Sequence, residues 1–155
     1  MKRVMPGFDP ERFFDLIKGG HTGQLAIGFH AQGPGWVDLI LPYDAKLVGD
    51  AATGILASGP IVALMDMATS SAVWIRRGRF APHVTLDLRV DYLRPATPER
   101  AVIGRGECYR LSRSVAFVRG VAYHDAPDDP IAHVAGTFML MDAPAKEAPL
   151  QDQRT

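Results

Sequence analysis

The sequence predicts an α+β domain in which an antiparallel sheet of about six strands wraps one long helix. Three observations carry that expectation. Residues 59–76 place Ile61, Leu64, Met65, Ala68, Ala72 and Ile75 at helical spacings, with Pro60 in the first turn. Several shorter runs alternate apolar and polar residues, as half-buried strands do. The breaks between them are rich in proline and polar residues, as in Arg94-Pro95-Ala96-Thr97-Pro98 and Ala126-Pro127-Asp128-Asp129-Pro130.

Taken in order, residues 9–18 read as a short helix. Asp9 is a good N-cap, Pro10 suits the first helical position, and Gly19-Gly20 stops the run. Alternation begins at residue 21, and strands are expected over 24–29 and 36–41, joined by a hairpin-like turn over 31–35. Residues 42–58 are expected to be loop, broken by Gly49 and Gly54. The long helix follows, apolar on most sides and therefore expected to be buried. Strands over 83–92, 101–111, 114–124 and 131–141 complete the sheet. Residues 142–155, mostly Pro, Ala, Gln and charge, read as a frayed tail. The expected organisation is an N-terminal helical segment at 1–20, one domain at 21–141 and the tail.

Composition narrows the function. At 155 residues the chain suits a single domain with a proper core. Its 17 Lys+Arg balance 17 Asp+Glu, which argues against nucleic acid as a partner. The longest apolar stretch, 55–75, is interrupted by Ser58, Pro60, Asp66, Thr69, Ser70 and Ser71, too polar to cross a bilayer. No apolar targeting segment follows the start, so a cytoplasmic protein without membrane attachment is expected. The single cysteine, Cys108, excludes an internal disulfide or a thiolate metal cluster. The five histidines show no ligand spacing, so no metal is expected. Gly104-Arg105-Gly106 sits within a strand and opens no helix, which makes it a weak nucleotide motif.

Three segments resemble a known family. The helix start Gly59-Pro60-Ile61-Val62-Ala63-Leu64-Met65-Asp66, the strand from Val84 through Tyr92-Leu93-Arg94-Pro95-Ala96, and Ala132-His133-Val134-Ala135-Gly136-Thr137-Phe138 are similar to the hotdog-fold acyl-CoA thioesterases. Within them the likeness is greatest to the PaaI-like branch, related to phenylacetic acid degradation. It spans about residues 20–141. It implies a central helix wrapped by a sheet, homodimers with continuous sheets, often homotetramers, and active sites at the dimer interface. The family pattern is an Asn, then His-Gly-Gly, then an acid nine positions after the His. Here Asp66 is the acid, Gly59 the second glycine, and Gly54 also matches, while Ala57, Ser58 and Ala51 stand in place of the His, the first glycine and the Asn.

Thioester hydrolysis needs stabilisation of charge on the carbonyl oxygen and a carboxylate to activate water or to attack. A helix start offers unpaired N–H groups and a positive dipole end. Ser58 and Gly59 would supply those donors, and the Ser58 hydroxyl is expected to cap the helix. Asp66 stands two turns further, roughly 10 Å along the axis. It would be general base or nucleophile, or else a buried carboxylate with a structural partner. Thr85 matches the Ser/Thr position that orients the attacking water in some family members; strand propensity alone also explains it. Asp50, beside the missing Asn, is a candidate for substrate orientation or an ordinary loop aspartate. Arg94 and Arg113 are candidates for the phosphates of coenzyme A.

The expectation is therefore a homo-oligomeric acyl-CoA thioesterase that uses no cofactor. Two alternatives stand beside it. One is a hotdog protein that binds acyl-CoA or another apolar ligand without hydrolysis, as Ala57 and Ala51 suggest. The other is an acyl-thioester hydratase or dehydratase, a chemistry that usually pairs a His with a carboxylate; no His lies on or just before the long helix.

Overall fold

The computed structural model describes residues 7–141; residues 1–6 and the expected tail at 142–155 lie outside the described residues. The chain runs α1 (Pro10–Leu16), α2 (Gly20–Gln24), β1 (Gly28–Gly33), β2 (Trp36–Leu41), a single 3-10 turn (Ala45–Leu47), β3 (Val48–Asp50), β4 (Ile55–Leu56), α3 (Ser58–Arg77), β5 (His83–Tyr92), β6 (Val102–Leu111), β7 (Val115–Tyr123) and β8 (Pro130–Leu140). Six strands form one antiparallel sheet in the order β1-β2-β6-β7-β8-β5, and β3 pairs with β4 in a separate small ladder. The sheet wraps α3, which packs on β2, β5, β6, β7 and β8. No helix among the described residues is long and apolar enough to cross a membrane.

Local chemistry explains the ends of the helices. Asp9 caps α1 by accepting from the Arg12 N–H at 3.2 Å, with Pro10 in the first turn. At the end of α3, Gly78 takes the left-handed conformation (φ 68°), and its N–H bonds the carbonyls of Ile75 and Trp74.

The apolar stripe of α3 makes the core. Leu64, Met65 and Ala68 are fully buried and meet Val37, Leu39 and Leu41 of β2, Val118 of β7 and Phe138 of β8. Each large aliphatic or aromatic side chain buried there contributes about 1.5–3 kcal/mol. The helix backbone lies directly on β6. A Cβ on Gly106 would stand 2.3 Å from the Ala68 carbonyl oxygen, so this position admits only glycine. The Gly104-Arg105-Gly106 run thus serves helix–sheet packing.

Four local expectations need correction. The first strand begins at Gly28 rather than residue 24, because Gly20 at φ 68° lets the chain turn into the extra helix α2. Leu25, Ile27 and Phe29 still face the core, so the alternation was real although residues 25–27 are outside the ladder. The hairpin turn between β1 and β2 is only two residues long, Pro34 and Gly35. The expected loop at 42–58 holds the 3-10 turn and the β3–β4 ladder. Finally, Ser58 does not cap α3. The N-cap position falls on Ala57, which has no side-chain acceptor, and Ser58 is already the first helical residue.

Candidate active site

The start of α3 and one flank of it face open space. Ser58, Gly59 and Ile61 carry first-turn N–H groups beyond the reach of the helical ladder, and Pro60 between them has none. A Cβ at Gly59 would meet nothing within 4 Å, so the surface there is open to another molecule. Two cavities flank this helix start. One, of about 450 Å³, is lined by Gly59, Val62, Asp66 and Met67 of α3 and by Thr85 and Leu88 of β5. The other, of about 350 Å³, is lined by Ser58, Ile61, Tyr92, Arg94 and Ile131 among others.

Asp66 is half-buried and Thr85 exposed. The Thr85 hydroxyl donates to Asp66 Oδ1 at 2.8 Å, which fixes the carboxylate. No other hydrogen bond reaches that carboxylate among the described residues. A β-bulge makes this pairing possible. Thr85 lies opposite Phe138 and Asp87 opposite Thr137, so β5 carries one extra residue at this point. Strict alternation would put Thr85 and Leu88 on opposite faces; the extra residue brings both to the same cavity. On the facing strand, a Cβ at Gly136 would stand 2.6 Å from the Asp87 carbonyl oxygen, so glycine there admits the bulge.

At the other end of β5, the Tyr92 hydroxyl donates to the Ser58 carbonyl at 3.1 Å and ties the strand to the helix start. Burial pushes the Tyr92 phenol above its usual range, which keeps it a donor. Arg94 lines the second cavity and donates to Asp129, to its carbonyl at 3.1 Å and its carboxylate at 2.9 Å. Asp50 is exposed, and its side chain accepts from the Ala52 N–H at 3.0 Å in a tight turn. Arg113 is exposed in the β6–β7 turn and lines neither cavity. The structure thus brings Asp66, Thr85 and Gly59 to one cavity, and places Ser58 and Arg94 at its neighbour.

Sequence reading missed three residues at these cavities. His21 and Thr22 of α2 line the Asp66 cavity, although they stand far from it in the chain. Tyr92 was read only as part of a strand. No local pattern marks either role, because each depends on where the sheet and α2 bring the chain back to α3.

A six-stranded antiparallel sheet wrapped on one long helix, with a carboxylate cleft along the helix flank, defines a hotdog-fold protein. The thioesterase superfamily model matches residues 53–131, from just before α3 into β8. A solved structure from Pseudomonas aeruginosa is 38% identical, with 85% of this chain and 96% of that chain covered and a TM-score of 0.74. The phenylacetic acid degradation protein PaaI of Thermus thermophilus is 26% identical, covering 77% and 97% of the two chains at a TM-score of 0.66. A Haemophilus influenzae thioesterase shares the fold at 20% identity, covering 93% and 100% at a TM-score of 0.78. No curated protein matches the chain. The chain belongs to the thioesterase superfamily, and the reaction class that goes with it is thioester hydrolysis.

Proposed function

We propose that the protein hydrolyses acyl-CoA thioesters to free acid and CoA by a carboxylate-assisted mechanism. The observation that supports this best is the shared cavity: Asp66, held by the Thr85 hydroxyl at 2.8 Å, and the open helix start at Gly59 line the same space. In this reading the acyl carbonyl lies toward the helix start, where N–H groups and the helix dipole stabilise developing negative charge. Asp66 activates water or attacks directly, and Thr85 holds its carboxylate in place. Arg94, at the second cavity beside Ser58, serves the phosphates of the nucleotide end. Asp50 acts through the turn it builds before β4. No metal or redox group takes part in these steps.

The site is shared between two copies. β5 is an edge strand, and it exposes Val84, Leu86 and Tyr92 beside the cavity. An uncovered strand edge with large apolar side chains is a liability in a lone subunit. Pairing of two β5 edges would cover it and close the cleft, giving a homodimer and, by further association, a tetramer.

The test is free-thiol release from short, medium, long-chain and aryl acyl-CoAs, run on the parent and on Asp66→Asn. Turnover that falls about 100-fold in the variant, the scale of losing a general base, supports the reading. A folded, oligomeric parent that is silent across the panel overturns it in favour of ligand binding without hydrolysis. Sedimentation should show a dimer or larger species.

A further inference from the structure

The geometry points to His21 as a substrate-contacting residue of this site: its imidazole N–H donates to the carbonyl oxygen of the bound acyl thioester. The inference rests on the thioesterase reading above and deepens it. The polar side chains that line the Asp66 cavity are Asp66, Thr85, Thr22 and His21. An ionised carboxylate only accepts, and the Thr85 hydroxyl proton is already directed to Asp66. The first turn of α3 brings only Gly59 to this cavity, and Gly59 has no side chain. The remaining donors that this chain brings to an oxyanion are therefore the Gly59 N–H, the Thr22 hydroxyl and the His21 ring. Of the two side chains, the imidazole extends further from its backbone, and it keeps an N–H in either protonation state.

The turn that carries His21 is held by its backbone. Gly20 sits at φ 68°, and a Cβ at Gly23 would stand 2.2 Å from the Lys18 carbonyl oxygen, so α2 is folded tightly onto the end of the preceding segment. The Leu25 N–H donates to the His21 carbonyl at 3.1 Å and the Ile27 N–H to the Thr22 carbonyl at 3.2 Å. Ile27 is buried in the core, so this end of the turn is anchored. The backbone that carries the imidazole is therefore set before substrate arrives, which limits the reorganisation needed to stabilise charge.

The step balances without a further reactant. Water attacks the acyl carbon and gives its proton to Asp66, and the carbonyl π pair moves to oxygen, held by the His21 and Gly59 N–H groups. Collapse breaks the C–S bond, and the thiolate leaves and takes up the proton.

The test compares His21→Leu and His21→Gln with the parent in the acyl-CoA thiol-release assay, with thermal melts to confirm folding. His21 is exposed, so both variants should fold. His21→Leu should lower kcat by about 100-fold, the scale of losing one such donor, with KM changed less than about threefold. His21→Gln, which keeps a neutral N–H donor, should stay within about tenfold of the parent. An active parent with an unaffected His21→Leu overturns this inference and leaves the thioesterase reading standing. Equal loss in His21→Gln and His21→Leu overturns the donor role in favour of proton transfer by the ring. A parent that releases no thiol overturns the thioesterase reading itself and this role with it.

Discussion

Two aspartates on opposite sides of the same sheet meet opposite surroundings. Asp38 of β2 is 2% exposed, although it lies on the face of the strand opposite Val37 and Leu39. Arg105 of β6 holds both its oxygens, from Nε at 2.8 Å and Nη2 at 2.7 Å, and the Tyr123 hydroxyl donates at 2.8 Å. The Trp36 ring stacks 3.8 Å from the Arg105 guanidinium and covers the pair. The Tyr123 phenol is pushed up to about 12, first by burial and then by its bond to Asp38, so it remains a donor at any ordinary pH. Every acceptor site that matters on Asp38 is filled. Asp66, by contrast, is half-buried, has one donor in Thr85, and lines an open cavity. A carboxylate with full coordination holds structure together, whereas one with acceptor capacity left beside open space is available for chemistry.

That contrast can be broken in several ways. The largest effect is expected at Asp38→Ala, which leaves Arg105 and Tyr123 without their shared acceptor. Denaturant unfolding should show a loss of about 3 kcal/mol, with turnover of the surviving folded enzyme nearly unchanged. Asp66→Asn should do the reverse and cost less than about 1 kcal/mol in the same melt, since only one hydrogen bond changes. If the two aspartates cost the same stability, the distinction drawn here fails.

Gly136→Ala sharpens it from the facing strand. Its Cβ would press the Asp87 carbonyl from 2.6 Å, and overpacking of this kind costs about 1–3 kcal/mol. Because the bulge moves with Asp87, Thr85 should lose its hold on Asp66, and kcat should fall more than the stability loss explains.

A titration separates core from cleft. His83, at the start of β5, sits between Trp74 and Phe138 with the Ser70 hydroxyl 2.6 Å from Nε2. Burial first, and then the Arg77 charge, lower its pKa from 6.5 to about 4. Above 6.5 the ring is neutral in both the folded and unfolded chains and has no effect. As pH falls from 6.5 toward 4, the unfolded chain takes up the proton and the folded one does not, so stability is lost across that window. The ring is only half-buried, and with solvent screening the loss should be about 1–2 kcal/mol. Melting temperature against pH should show this slope in the parent and lose it in His83→Phe. The smallest effect is expected at Thr85→Val, where removal of one hydrogen bond of about 1 kcal/mol should slow turnover about fivefold and leave the fold intact.

Much of this molecule is legible in the chain itself. The spacing of Ile61, Leu64, Met65, Ala68 and Ala72 specifies a buried helix, and the alternation in residues 83–92 and 101–111 specifies strands, because side-chain periodicity is a local consequence of backbone geometry. The family pattern around Gly59 and Asp66 is also legible there, and both residues belong to that helix. Tertiary structure alone decided the rest. Asp38 in Val37-Asp38-Leu39 reads as an ordinary solvent-facing strand residue, and only the register with Arg105 buries it. Thr85 and Leu88 read as facing opposite ways, and only the bulge admitted by Gly136 turns them together. His21 reads as the start of strand-like alternation, and only the fold of α2 brings it to the Asp66 cavity. The sequence determines periodicity and capping because these depend on near neighbours. Which distant residues share a cavity depends on register and close backbone approach, and those are settled only when the sheet closes on the helix.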